Sequence, residues 1–231
     1  MQENQYLWDE KNPKGYYNRA GIYKTKVEYD FIKSHILNNQ KTMVLSRSPQ
    51  ILDLGGGSGR FALPLLKSGF DITVVDLDPK AIELCKHKGI TKSYCCDIRN
   101  TDLTGFDVIL AMELFLVTPP ADVFKVSNQK LVKEGLFIFV GTNKNSWRNK
   151  LHNLRKRKSK NYGELSVKEY EDLVLVNGFE IIDIKGFNWI PFKVNSNNIL
   201  IPVIAKLESV LRLNKWLYQS PWLLFACKKI K

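Results

Sequence analysis

Apolar and polar positions alternate in blocks along the middle of this chain. Short, continuously apolar runs end in an acid or a glycine, and each is followed by a stretch with helical spacing. The runs at 51–54, 71–76, 91–97, 106–112 and 135–141 predict buried strands. Between them, 60–68, 79–88 and 121–133 predict helices, the second with Pro79 at its first position and Gly89 beyond its end. Later, 166–177 predicts a helix capped by Ser166 with Glu169 at the capping-box position, and 179–187 and 222–228 predict two more strands. Strands alternating with helices belong to a parallel sheet covered on both faces. The expected fold is therefore α/β: a seven-stranded, mostly parallel, doubly wound sheet whose last strand is antiparallel.

Two segments break this rhythm. The first 40 residues are rich in aromatics, with helical spacing over 27–37, and predict an N-terminal helical cap. An insertion at 188–220 precedes the last strand and repeats Leu200, Val203, Ile204, Leu207, Val210, Leu211 and, less regularly, Trp216 at helical intervals. Such a stripe packs on its own domain in the ordinary case. A dimer seam, a lipid-facing surface or a wall of a substrate site gives the same pattern. The expected organisation is one domain over 1–231, with a cap at 1–40, a core at 41–187, the insertion at 188–220 and the last strand at 221–231.

The turn after the first strand reads Asp-Leu-Gly-Gly-Gly-Ser-Gly-Arg from Asp53 to Arg60. Glycines let the backbone turn sharply and approach a ligand, and the helix that follows presents free N–H groups. A dinucleotide fingerprint needs a third glycine five residues after the first, and Arg60 holds that place, which disfavours a nicotinamide-dependent dehydrogenase. Asp53, Asp76, Asp97 and the turn at 111–113 all fall at the carboxyl edge of the expected sheet, where open α/β folds bind ligands. Asp76, 21 residues after Gly55, is spaced to accept hydrogen bonds from both hydroxyls of a ribose.

Five motifs appear in order: 53–59, then Val-Asp-Leu-Asp-Pro ending at Pro79, then Cys96-Asp97-Ile98, then 106–113, then 131–136. Together they resemble class I methyltransferases that use S-adenosylmethionine, over about residues 50–141 and more weakly to the last strand. The resemblance implies that Gly55, Gly56, Gly57 and Gly59 form the turn beneath the donor's methionine part, with Asp53 supporting the loop. It implies Asp76 on the ribose, Leu77 on adenine, Asp97 and Ile98 framing the base, and Ala111 and Met112 beside the sulfonium. S-adenosylhomocysteine would be the product. The family has no universal catalytic residue. His152, Tyr16, Tyr17 and Tyr23 are the candidate bases, and Tyr17, Tyr23, Glu113 and Arg148 the candidate acceptor contacts. The fourth strand runs into Met-Glu-Leu-Phe rather than the Asn/Asp-Pro-Pro-Tyr of enzymes that methylate base amines or amides. That points to a small-molecule acceptor.

Charge and composition sharpen this picture. The net charge is +12, and residues 144–160 hold eight basic side chains and no acid. This run suits an anionic partner: phosphate, RNA or an acidic membrane surface. An RNA methyltransferase using 144–160 and a non-catalytic cofactor-binding assembly module are the alternatives to a small-molecule enzyme with an anionic, lipid-linked or sugar-linked acceptor. The polar first twelve residues and the lack of an apolar run of about 18 residues point to a cytoplasmic protein. The four cysteines show no metal-ligand spacing and are expected to be reduced, with no metal centre.

Overall fold

Leu52, Val75, Ile109 and Phe137 point to one side of their strands, and Ile51, Val74, Val108 and Ile138 to the other. Both sets are buried, so the strands need cover on two faces and read as unbroken apolar runs. A computed structural model of the chain describes residues 17–42, 47–154 and 164–231. Its strands are β1 (Gln50–Leu54), β2 (Asp71–Asp76), β3 (Ser93–Cys95), β4 (Phe106–Ala111), β5 (Leu131–Asn143), β6 (Glu164–Leu165), β7 (Phe179–Phe187) and β8 (Trp222–Lys229). They form a sheet of order β3-β2-β1-β4-β5-β8-β7, with the two-residue β6 beside the end of β5. All pairings are parallel except those of β8, which runs antiparallel between β5 and β7.

The helices are α1 (Arg19–Thr42), α2 (Ala62–Lys67), α3 (Pro79–His87), α4 (Pro120–Lys130), α5 (Trp147–Leu154), α6 (Val167–Val176) and α7 (Ile201–Val210). Ile32 and Ile36 of α1, Leu65 of α2 and Ile82 of α3 close one face of the sheet. Val123 and Phe124 of α4 and Val167, Tyr170 and Val174 of α6 close the other, around an aromatic cluster in which Phe139 and Phe225 stack at 4.6 Å. At α6, Ser166 accepts the Glu169 backbone N–H while the Glu169 carboxylate accepts the Ser166 backbone N–H, as its spacing predicts.

The expected sheet is present, with four departures. α1 extends over 24 residues rather than the eleven of 27–37, because its register is set by packing on the sheet and by the buried pair Lys24–Glu28. β3 contracts to three residues: it lies at the sheet edge and pairs only with β2. Residues 131–133, expected to end a helix, begin β5 instead. Leu131 pairs with Phe106, and the ladder then slips so that Val108 meets Leu136, with Glu134 in the left-handed region at φ 66°. The apolar stripe of the insertion, expected to pack inward in the ordinary case, faces outward. Only Ile201 and Glu208 of α7 are buried, against the start of α1 and residues 190–192.

Candidate active site at the carboxyl edge of the sheet

The turn after β1 is built by close approach. A Cβ on Gly56 would lie 2.7 Å from the Asp53 carboxylate, and Gly57 sits at φ 54° with open space where its side chain would point. Because of that conformation the Gly57 N–H donates to Asp76 Oδ2 at 2.8 Å, while the Asp78 N–H donates to Oδ1 at 2.9 Å. Each oxygen of Asp76 is thus oriented by one backbone donor and keeps a lone pair for another. The Gly55 N–H is anchored on the Val75 carbonyl at 2.8 Å, tying the turn to β2.

These groups open on a cleft of about 480 Å³. Of the residues expected around the donor, Asp53, Gly55, Gly56, Gly57, Asp76, Leu77, Asp97, Ile98 and Met112 line it. Gly59 and Ala111 do not. Gly59 lies beneath the turn, where a Cβ would meet Ile90 at 2.5 Å, and Ala111 is buried within the sheet. Glu113 and Leu114 line the cleft in place of Ala111. Asp97 caps the short turn that follows it and accepts from Arg99, at 2.9 Å from Nε and 2.6 Å from NH2. The Arg99 hydrogen bonds hold its carboxyl down at about 2.

The other expected contacts separate. Tyr23 donates from its hydroxyl to Glu208 at 2.5 Å, and Arg148 donates to the carbonyls of Asn188 and Ile190. Both belong to an internal cluster that fastens the insertion to α1 and α5, and neither lines the cleft. Burial first, and the Glu208 carboxylate next, push the Tyr23 phenol far up, which makes it a poor base. Tyr17 is half-exposed before α1 and is not among the lining residues. His152 falls in α5, with its side chain outside the described residues, and Tyr16 is outside them altogether.

Sequence reasoning missed a buried group of four charges at the floor of the cleft. Lys24 Nζ is 2.7 Å from Glu28 and 2.5 Å from Glu113, while Arg60 lies 3.1 Å from Glu28 and 3.0 Å from Glu113. Lys24 also sits 4.4 Å over the Trp222 ring. Burial alone would raise the Glu113 carboxyl, but Lys24 and Arg60 outweigh it and hold the group ionised. The i,i+4 spacing of Lys24 and Glu28 was visible in the sequence; that Arg60 and Glu113 complete the set was not. Asp53 is the opposite case. Burial lifts its carboxyl to about 7, with Arg60 opposing and Asp76 adding, and its Oδ2 has no hydrogen-bond partner among the described residues.

An unsatisfied acidic oxygen, a backbone cradle open above Gly57 and a carboxylate oriented by two backbone N–H groups form a set that fits S-adenosylmethionine. Residues 52–139 match a family model described as a methyltransferase domain. Ubiquinone biosynthesis O-methyltransferases are similar: that of Bartonella bacilliformis at 25% identity over 64% of this chain and 66% of its own length, and that of Methylocella silvestris at 28% over 40% and 44%. The matches to such curated relatives span between 44% and 66% of those proteins. The fold is shared with magnesium protoporphyrin IX methyltransferase from Synechocystis PCC 6803, solved with S-adenosylhomocysteine (TM-score 0.64, 9% identity, 91% of this chain and 85% of that one). It is also shared with geranyl diphosphate C-methyltransferase from Streptomyces coelicolor A3(2) (TM-score 0.60, 14% identity, 88% and 76%). Glycine turn, oriented acid, strand order and the methyltransferase-domain match over residues 52–139 agree, and together they support a class I S-adenosylmethionine-dependent methyltransferase.

Proposed function

We propose that this protein transfers a methyl group from S-adenosylmethionine to an oxygen of a small, lipid-linked acceptor. The observation that carries the donor half is Asp76, held by two backbone N–H groups over a glycine turn at the end of β2. When bound, the donor supplies an activated methyl on a cationic sulfur. The chain's own task is placement and shielding. The turn from Gly55 to Gly57 seats the amino-acid end, Asp76 fixes the ribose, and Leu77 and Ile98 bracket the base between apolar walls. Asp53 at the floor of the cleft complements a cationic ligand once that ligand draws it into its ionised form.

The acceptor half rests on the rest of the lining. Met112, Leu114, Leu116, Val117 and Pro119 make the far wall apolar, which suits a ring or isoprenoid-bearing molecule better than a free sugar or phosphate. The curated relatives named above act, by their names, in ubiquinone biosynthesis, and that supports the same class of acceptor and an oxygen as the methylated atom.

Calorimetry with S-adenosylmethionine and S-adenosylhomocysteine tests the donor half. Binding is expected for both, and Asp76→Ala is expected to weaken it on the order of a hundredfold by removing both ribose acceptors. No heat with either ligand, or an undiminished Asp76→Ala variant, would overturn the reading.

A further inference from the structure

We infer that the outer face of α7 and the turn after it form a docking surface for an anionic lipid bilayer. Leu200, Val203, Leu207, Val210, Leu211 and Trp216 are each half or more exposed. On a helix of 3.6 residues per turn, the first five fall on one stripe beside the side that carries the buried Ile201 and Glu208 and the partly buried Ile204, so the stripe continues the protein's own apolar seam outward into solvent. An exposed apolar patch of this continuity marks a surface that meets something else. Trp216 and Tyr218 add aromatic rings at its end, the side-chain types that settle at the boundary between acyl chains and headgroups.

Charge selects the occupant. The insertion at 188–220 contains one acid, Glu208, and it is buried, accepting from Tyr23 and from the Trp189 N–H. Its four basic residues, Lys193, Lys206, Arg212 and Lys215, are exposed and have no carboxylate partner among the described residues. The basic segment joins this rim: the Trp147 N–H donates to the Gln219 carbonyl at 3.3 Å, Lys150 reaches the Gln219 side chain at 3.4 Å, and Leu151 of the same helix is exposed. Apolar stripe, interfacial aromatics and an unbalanced cationic rim are together the pattern of a helix lying in an anionic headgroup layer. A second copy of the chain would bring like charges face to face, on a molecule already at +12.

The location matters for the proposed acceptor. Tyr23 of α1 is bonded to Glu208 of α7, and Lys24, the next residue of α1, is bonded to Glu113 in the cleft, so α7 is fastened to the same edge of the sheet as the donor site. This placement rests on the methyltransferase reading; lipid binding itself does not.

The test is flotation of the whole chain with vesicles of phosphatidylcholine alone or mixed with phosphatidylglycerol. Partitioning is expected on the anionic vesicles, falling about fivefold for each charge removed by Lys206→Gln, Arg212→Gln and Lys215→Gln. Leu207→Ser with Val210→Ser is expected to cost on the order of tenfold or more at a salt concentration that screens the charges. All five positions are exposed, and unchanged binding of S-adenosylhomocysteine by each variant reports an intact fold. Asp76→Ala is expected to lose the donor and keep the vesicles, which separates failure of this inference from failure of the activity. Equal or absent partitioning on the two vesicle types would overturn it. So would light scattering that shows a dimer dissolved by the Leu207/Val210 variant, or vesicle-free binding of single-stranded RNA lost with the three charges.

Discussion

Asp53 is 1% exposed at the end of β1, with one carboxylate oxygen unsatisfied and a pKa near 7 where an unfolded chain would show about 4. The native state therefore holds a proton that the unfolded chain has already released. Its contribution to stability is present below about pH 4 and lost as pH rises through about 7. Asp53→Asn should flatten the pH dependence of urea unfolding across that window. A cationic ligand seated over the glycine turn favours the ionised carboxyl, so donor binding should expel a proton from Asp53 near pH 6 to 7. Calorimetry in two buffers of different ionisation enthalpy measures that release directly, and identical heats in both would refute it. Asp53 and Asp76 differ only in their surroundings: one buried beneath the turn without a donor, the other held by two backbone N–H groups.

At the scale of elements, α1 is attached to the cleft through charges. Lys24 on α1 bridges Glu28 of its own helix and Glu113 after β4, and Arg60 before α2 closes the ring. Removing Lys24 leaves two buried carboxylates to share the single charge of Arg60, so Lys24→Met should cost about 3–5 kcal/mol in urea unfolding. Lys24→Met combined with Glu28→Gln should recover part of that loss; equal costs for the single and double variants would argue against a coupled set. The elements themselves were largely legible. Continuous apolar strands, Pro79 and the Ser166 capping box mark boundaries through local chemistry, which the sequence carries. The slip between β4 and β5 and the length of α1 were not legible, because the neighbouring strand and the sheet face decide them. The site divides the same way. Asp76 and the glycines follow from a motif, whereas the destinations of Tyr23 and Arg148, inside a cluster of α1, α5 and the insertion, depend on partners more than a hundred residues away in sequence for Tyr23 and about forty for Arg148.

For the whole molecule, ligand binding and stability are linked. S-adenosylhomocysteine at about 100 times its dissociation constant should add about 2.7 kcal/mol, which for a chain of 231 residues is a rise of roughly 5–10 °C in the unfolding midpoint. Asp76→Ala should cut the rise to about 1 °C at the same ligand concentration, and an unshifted midpoint for the parent protein would contradict the assigned site. Among the described residues no helix is long and apolar enough to cross a bilayer. The position of β8 has a further effect, on the order of assembly. It enters antiparallel between β5 and β7, supplying the only ladder among the described residues that joins β7 to the rest of the sheet. During synthesis, β7 must wait for 222–229 to leave the ribosome, with Phe179 and Phe187 lacking their final cover until then. A nascent chain halted before that strand would hold an incomplete sheet, open to chaperones along the edge of β5 that β8 later fills.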